Sequence, residues 1–504
     1  MAQDIALDPP VQKKKSRYPK AVPYIIGNEA AERFSFYGMR SILVIFLVAQ
    51  FFNPTKNDAL TTVASAKANQ LSHLFVTVAY ALPFLGGLVA DWFTGKYKVI
   101  LYISMVYCIG HLLLAMFDNN FGGFEIGLAL IAIGAGGIKS CVSANVGDQF
   151  DASNQDLLSK VYGWFYFSIN AGSMISSIAI PLVYENYGAK WAFGIPGILM
   201  GIATITFYAG RKKYVRVPPK GVNKNNFVFI SAYALLHISE KQPGESWLDV
   251  AKRGPYDPQR VEGIKAVYRV MAVFFFALAF WAVWDQCLSE WVLQAEKLNR
   301  VINIGFTKFT VLAGQVSTVN AVFLLIFIPI FNYGVYPFFD RIGLKTTPLR
   351  RLGTGLVLTA VSFVIIALIQ AKVDIHQSPS IWWQILAYIV LSAAEVLVSI
   401  TGLEYAYTHS PKSMKSTMTA IWLLVVSLGN FITAGVNGNI ANNGFLAPYL
   451  IGANYYWFFV CFILVFVVVF LFVSPRLKEH NYIENPEPVP AAEKNKMIAD
   501  TDNL

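Results

Sequence analysis

The stretch IIGNEAAERFSFYGMRSILVIF, residues 25–46, is apolar and long enough to cross a bilayer, yet it carries Glu29, Glu32, Arg33 and Arg40. An ionised side chain near the bilayer centre costs roughly 2.5–3.5 kcal/mol on insertion scales, so such residues face a water-filled interior and act there. At about 100° per residue, positions 29, 33, 36, 37 and 40 fall on one broad helical face, with Glu32 at its margin. One wall of a polar cavity is therefore written into the first hydrophobic segment.

The rest of the chain agrees with that reading. Of 504 residues 55% are hydrophobic and only 14% charged, against about 25% charged in soluble domains. The chain reads as a polytopic membrane protein. Residues 1–22 are polar and lysine-rich, with no cleavable signal pattern. Cys108, Cys141, Cys287 and Cys461 stand singly in or beside apolar segments, without metal-ligand spacing or a disulfide framework. The net charge of +10 lies in short loops between apolar segments, which fits the positive-inside rule and argues against nucleic acid as a partner.

Windows of about 20 apolar residues predict twelve transmembrane helices. Six lie near 23–51, 69–93, 97–117, 123–147, 158–184 and 190–210. Six more lie near 267–292, 310–338, 347–371, 380–407, 413–440 and 449–474. Basic clusters at Lys13, Lys14, Lys15 and Arg17, at Lys96 and Lys98, in 211–216, in 341–351, at Lys412 and Lys415, and after Pro475 all fall on one side of this alternation. That side is read as cytoplasmic, with both termini there. The expected organisation is an N-terminal tail (1–22), a six-helix bundle (23–210), a cytoplasmic linker with an amphipathic helix (211–266), a second six-helix bundle (267–475) and a tail (476–504). GGLVADWFTGKYK (86–98) and YPFFDRIGLKTTPLRR (336–351) each put Asp, then Gly, then Lys at a helix exit. This weak repeat fits the two halves of a major-facilitator fold, an all-α architecture with its site between the halves.

Several segments together resemble the proton-coupled oligopeptide transporters, the peptide-transporter branch of the major facilitator superfamily. They are NEAAERFSFYGMR (28–40), which matches the family's ExxER helix, GGLVAD (86–91), GAGGIKSCVSANVGDQF (134–150), YGWFYFSINAGS (162–173), FWAVWDQ (280–286), STVNAVFLLIFIPIF (317–331), and SAAEVLVSITGLEYAYTHSP (392–411) leading to AIWLLVVSLGN (420–430). Two departures stand out. Phe36 takes the place of the first tyrosine in the family's FxYYG, and Ser140 follows the lysine where proline is usual. The short AKVDIHQSPS (371–380) lacks the large extracellular insertion of mammalian members, which points to a bacterial-type transporter of the plasma (bacterial inner) membrane.

A small peptide is a zwitterion with amide groups between its ends, so its pocket needs cations at one end, a carboxylate at the other and neutral polar groups between. Arg40 and Lys139 are the candidates for the peptide carboxylate and Glu395 for its amine. The resemblance implies Asn170 and Asn320 as backbone-amide partners. Tyr37 and Tyr80 add hydroxyls, and Trp281 and Trp422 line side-chain pockets. Charges at mid-segment positions, as in Arg40, Lys139 and Glu395, are hard to explain as packing. The asparagines and tryptophans also suit a purely structural part in helix packing.

Proton coupling needs an acid that gains and loses a proton as the cavity changes sides. Glu29 and Glu32 beside Arg33 supply one such place, the rival reading being a permanent ion pair. Asp285 is a second candidate, near the outer side of the seventh helix, where His73 is expected to hydrogen-bond it when the outer gate shuts. Lys139 and Glu395 are expected to attract across the bundles and close the cytoplasmic side. Asp91, Gly95 and Lys96 read as gating residues, and Asp148 as a cap or a gate. The function that follows is import of di- and tripeptides by proton symport, by a monomer, with the lipid bilayer as its surroundings and no cofactor beyond the proton gradient. Other solutes such as nitrate, peptide-like drugs or metabolites, and a passive channel or sensor, are the alternatives. An enzyme is disfavoured, because His73, His111, His237, His376, His409 and His480 are scattered without HExxH spacing.

Overall fold

The fold was read from a computed structural model that describes residues 17–477, apart from 152, 220, 223, 304, 306, 412 and 413. Lys13, Lys14, Lys15, Lys412 and the tail from residue 478 lie outside the described residues. Twelve helices among the described residues are long and apolar enough to span a bilayer: Val22–Phe52, Thr61–Thr94, Lys96–Met116, Phe121–Gly147, Gln155–Tyr187, Ala189–Lys212, Pro258–Ala295, Ala313–Arg341, Pro348–Asp374, Ile381–Thr408, Thr417–Ala441 and Ala453–Arg476. They are spans 1 to 12 below. With no water to satisfy backbone groups in a bilayer, helices are the form such segments take.

Two spans begin well before the apolar windows do. Span 2 starts at Thr61 rather than near 69, and span 7 at Pro258 rather than near 267, so the linker gives way to helix inside its expected range of 211–266. The start at 258 follows from local chemistry. Asp257 accepts a hydrogen bond from the Gln259 N–H, 3.0 Å, and Pro258 occupies the first helical position, where its missing N–H costs nothing. Between spans 7 and 8, β1 (Val301–Asn303) pairs antiparallel with β2 (Lys308–Thr310), a small hairpin that the all-α expectation did not include.

Where helices depart from α geometry, they do so near polar residues. Span 10 changes to a π-helical turn at Val396–Ile400, immediately after Glu395. Span 7 stops being α-helical at Trp284, runs through a 3-10 turn at Asp285–Leu288, and resumes at Glu290–Ala295. The Cys287 carbonyl exposed by that break accepts the Tyr388 hydroxyl at 2.6 Å. Such local departures re-aim side chains, and the freed backbone groups find partners inside the protein.

Close approach sets the shape of the N-terminal half. At Gly86 a Cβ would lie 2.6 Å from the Gly137 carbonyl, so spans 2 and 4 touch backbone to backbone beside Lys139. Ser140 secures the same contact by donating its hydroxyl to the Pro83 carbonyl, 2.8 Å. The serine that departs from the family pattern thus ties span 4 to a proline turn in span 2.

Candidate functional site

The charges of span 1 are all buried, and they divide into two groups. Nearer the linker end, Arg33 Nε donates to Glu29 Oε1 at 2.8 Å and lies 2.6 Å from Glu32 Oε2. Two turns on, Arg40 Nη2 donates to Asp285 Oδ1 at 2.9 Å, with side chains only 1% and 2% exposed. This second pair joins the two halves of the molecule. Arg40 was expected to hold a peptide carboxylate; here Asp285 holds it, because a buried guanidinium requires an anionic partner.

The expected direct bond from His73 to Asp285 is not made; Asn430 stands between them. His73 Nδ1 meets Asn430 Oδ1 at 2.7 Å, its Nε2 meets Ser289 Oγ at 2.9 Å, and Asn430 Nδ2 donates to Asp285 Oδ2 at 2.6 Å. Since the Asn430 amide spends its N–H bonds on Asp285 and on the Val426 carbonyl, its oxygen faces the histidine. This network places the proton of a neutral His73 on Nδ1 and leaves Nε2 to accept from Ser289. Asn430 closes the motif AIWLLVVSLGN, so its position was visible in the sequence although its role was not.

Lys139 stands apart from these pairs. Its Nζ is buried without a hydrogen-bond partner among the described residues and lies over the Tyr80 ring, 3.7 Å from the centroid, and near Phe36, 4.9 Å. Phe36 also sits 5.7 Å from the Arg40 guanidinium. The phenylalanine that replaces a tyrosine therefore offers both cations a π face in place of a hydroxyl. Tyr37, half-buried, lies within electrostatic reach of Arg33, Arg40, Asp285 and Glu395, so it stands between the halves.

On the other side, Glu395 is 9% exposed, and its Oε2 accepts from Trp284 Nε1 and Asn320 Nδ2, both at 2.9 Å. Asn320 also donates to Ser392 Oγ at 3.1 Å. Glu395 is thus held by neutral donors and not by Lys139, and the expected attraction between those two is not made in this conformation. In the sequence Trp284 reads as one more aromatic residue of span 7; only its indole N–H gives it this part. Trp281 and Trp422 meet edge to face, 6.2 Å between ring centroids, and the Trp422 ring fills the space over Gly402, where a Cβ would lie 2.5 Å away. Asn170, half-buried, donates back to its own helix at the Tyr166 carbonyl, 2.9 Å, which leaves its oxygen unused by that bond.

Among the loop residues, Lys96 pairs with Asp148 at 2.8 Å, while Asp91 is exposed in the π-helical exit of span 2. Asp148 ends span 4, yet its carboxylate serves Lys96 and not the helix end.

At the end away from the linker the halves are further joined. Asn69 of span 2 donates to Glu290 of span 7, which also accepts the Tyr456 hydroxyl at 3.2 Å. Gln315 donates to the Ile178 carbonyl at 3.0 Å, and nearer mid-span Ser427 donates to the Thr77 carbonyl at 2.7 Å. In the sequence Asn69 and Glu290 look like ordinary polar residues near span ends.

With this geometry in place, the comparisons with known proteins are direct. The model of the POT family, PTR2, matches residues 97–458. The chain belongs to the POT family. It is 37% identical over 385 residues to peptide transporter 3 of Caenorhabditis elegans, which covers 72% of this chain and 52% of that protein. It is 35% identical over 387 residues to solute carrier family 15 member 1 of Homo sapiens, covering 71% and 52%. The chain thus spans about half the length of these animal relatives. A crystal structure of an auto-inhibited POT family peptide transporter superimposes with a TM-score of 0.83 at 34% identity, covering 94% of this chain and 99% of that one. The POT family transporter PepTSo superimposes with a TM-score of 0.82, also at 34% identity, covering 92% and 99%. This POT-family chain is a multi-pass membrane protein with the major-facilitator arrangement of two six-helix bundles.

Proposed function

We propose that this chain is a proton-coupled symporter that imports di- and tripeptides by alternating access. The observation that carries the reading is the split of buried charge. While Glu29, Glu32 and Arg33 are ion-paired among themselves, Lys139 lies in one bundle against aromatic faces, and Glu395 lies in the other on neutral donors. A zwitterion placed between them gives its carboxylate to Lys139 and its ammonium to Glu395, displacing only neutral contacts. Arg40 becomes available to a carboxylate when the far end opens and Asp285 withdraws. The names of relatives as peptide transporters support the substrate class.

The proton is carried by acids whose cation partners are exchanged during the cycle. Opening the far end separates Arg40 from Asp285, and peptide binding competes for the charges around Arg33; an acid that loses its cation inside a poorly hydrated site gains a proton instead. His73 suits a relay beside Asp285, since Ser289 can donate to its ring or accept from it. Peptide and proton must both favour the same rearrangement, because a ligand indifferent to the two conformations shifts nothing.

The chain acts as a monomer in the plasma membrane, of the bacterial inner-membrane type, with both termini and the linker in the cytoplasm. The test is uptake of a labelled dipeptide into proteoliposomes, with an inward acid gradient set against a collapsed one. Gradient-dependent accumulation is expected; if no di- or tripeptide accumulates while another solute does, the substrate assignment falls.

A further inference from the structure

The linker contains one feature that transport chemistry does not use. A helix at Phe227–Leu236 begins on the Asn226 side chain, which accepts from the Phe229 N–H at 3.0 Å. One face is committed to the protein, with Ile230, Ser231 and Ala234 buried. Phe227 packs on Tyr268 of span 7, ring centroids 5.3 Å apart, and Phe229 on Trp92 at the end of span 2, 6.2 Å apart. The opposite face is apolar and bare. Val228, Ala232, Leu235 and Leu236 recur at i, i+4, i+7 and i+8, with Leu236 81% exposed, and Ile238 continues the stripe. Ten residues rise only about 15 Å, half the hydrocarbon thickness, so this helix cannot span.

We infer that this face binds the surface of an anionic lipid leaflet. Three observations favour lipid over a protein partner. The helix is docked beside the ends of spans 2 and 7, where a leaflet surface must run. Residues 211–257 hold nine Lys and Arg against four Asp and Glu, and a basic segment beside a bilayer is drawn to anionic headgroups. Lys224 and Lys241 flank the helix and are exposed, so cations stand at both ends of an uncharged, apolar segment, where headgroups would meet them. Because the same helix touches Trp92 of one half and Tyr268 of the other, its lipid contact lies at the junction of the bundles.

The experiment reads lipid contact, not transport, so its failure and a failure of the peptide assignment are separable. Leu236→Cys, Val228→Cys and Gln242→Cys are made singly in a Cys461→Ala background, Cys461 being the one exposed cysteine. Each carries a polarity-sensitive fluorophore in vesicles of phosphatidylcholine, with or without phosphatidylglycerol, containing spin-labelled lipid. Quenching at 236 and 228 several-fold stronger than at 242, rising further with phosphatidylglycerol and losing that rise in K224Q/K241Q, is the expected result. Quenching at 236 and 228 no greater than at 242 overturns the proposal. Cross-linking between copies through position 236 that persists on dilution into excess lipid overturns it in favour of self-association, and equal quenching with and without phosphatidylglycerol overturns its electrostatic half.

Discussion

The two ends of the bundle pair are bonded by different rules. Away from the linker, the bonds run between the halves: Arg40 to Asp285, His73 to Asn430 and Ser289, Asn69 to Glu290, Gln315 to Ile178. At the linker end the ion pairs stay within a half or its linker: Lys96 with Asp148, Arg351 with Glu404, Lys265 with Asp249. Bonds within a half survive a rocking motion, whereas bonds between halves must break for the far end to open. The structure is therefore the conformer closed at the far end, held by buried polar pairs together with the packing of span 2 on span 11 and the close approach of Gly314 to the Ser41 carbonyl.

The largest effect comes from breaking the deepest of these pairs. Asp285→Ala leaves the Arg40 guanidinium buried and unpaired, at a cost of about 3–5 kcal/mol to the closed conformer. Spin labels at Asp58→Cys and Phe445→Cys, in far-end loops of opposite halves, should move apart in that variant. Removing Arg40 as well should recover much of the lost thermal stability, since no lone charge then remains. An unchanged label distance in Asp285→Ala would show that other contacts close this end.

Glu395→Gln tests the other side of the comparison, substrate chemistry without closure. Glutamine keeps an oxygen for Trp284 and Asn320, so fold and label distance should stay as they are. Gradient-driven dipeptide accumulation should fall at least about tenfold, the equivalent of roughly 1.4 kcal/mol of lost binding to the amine, the low end for a charge-assisted bond. Retained accumulation in E395Q would remove Glu395 from the site.

A smaller effect is expected at Asn430. Replacing it by alanine deprives Asp285 and His73 of their shared partner, at about 1–3 kcal/mol. The closed population should fall, but less than in Asp285→Ala, because Arg40 still holds the carboxylate. A label distance that moves as far as in Asp285→Ala would mean that the relay, not the ion pair, carries the closure.

The sequence marks which charges are buried more surely than whom they touch. Arg40, Lys139, Asp285 and Glu395 stand out because a charge in an apolar segment has a solvation cost that composition alone reveals. Their pairing depends on which end of the molecule is closed, and residues 40 and 285 lie on different bundles, so spacing carries no information about it. The direct His73–Asp285 bond was a reasonable expectation; an asparagine bridge differs from it by one side chain that periodicity reads as packing. The early starts of spans 2 and 7 were hidden for another reason. TTVASAKAN and PQRVEGIK are helical but polar, and apolar windows see only the part of a helix that prefers lipid.

The smallest effect should appear at the linker end, where acid can be used to loosen one docked segment. Burial works against the charge of Asp249, but hydrogen bonds from Lys252, Lys265 and the Ser246 N–H outweigh it and hold the carboxyl at about 2, below its ordinary 3.8. A carboxyl held low in the folded state adds stability above its unfolded value, and that contribution disappears as pH falls through the folded one. Amide exchange over Trp247–Arg253 should therefore be protected at pH 4 and lose protection toward pH 2, with Asp249→Asn showing the unprotected behaviour throughout. These ion pairs are partly exposed, and such bonds contribute only about 0.2–1 kcal/mol each. Because they join the linker to span 7 alone, Asp249→Asn at neutral pH should leave the far-end label distance where it is; a shift there would mean that the linker, and not the far-end pairs alone, helps set which side is open.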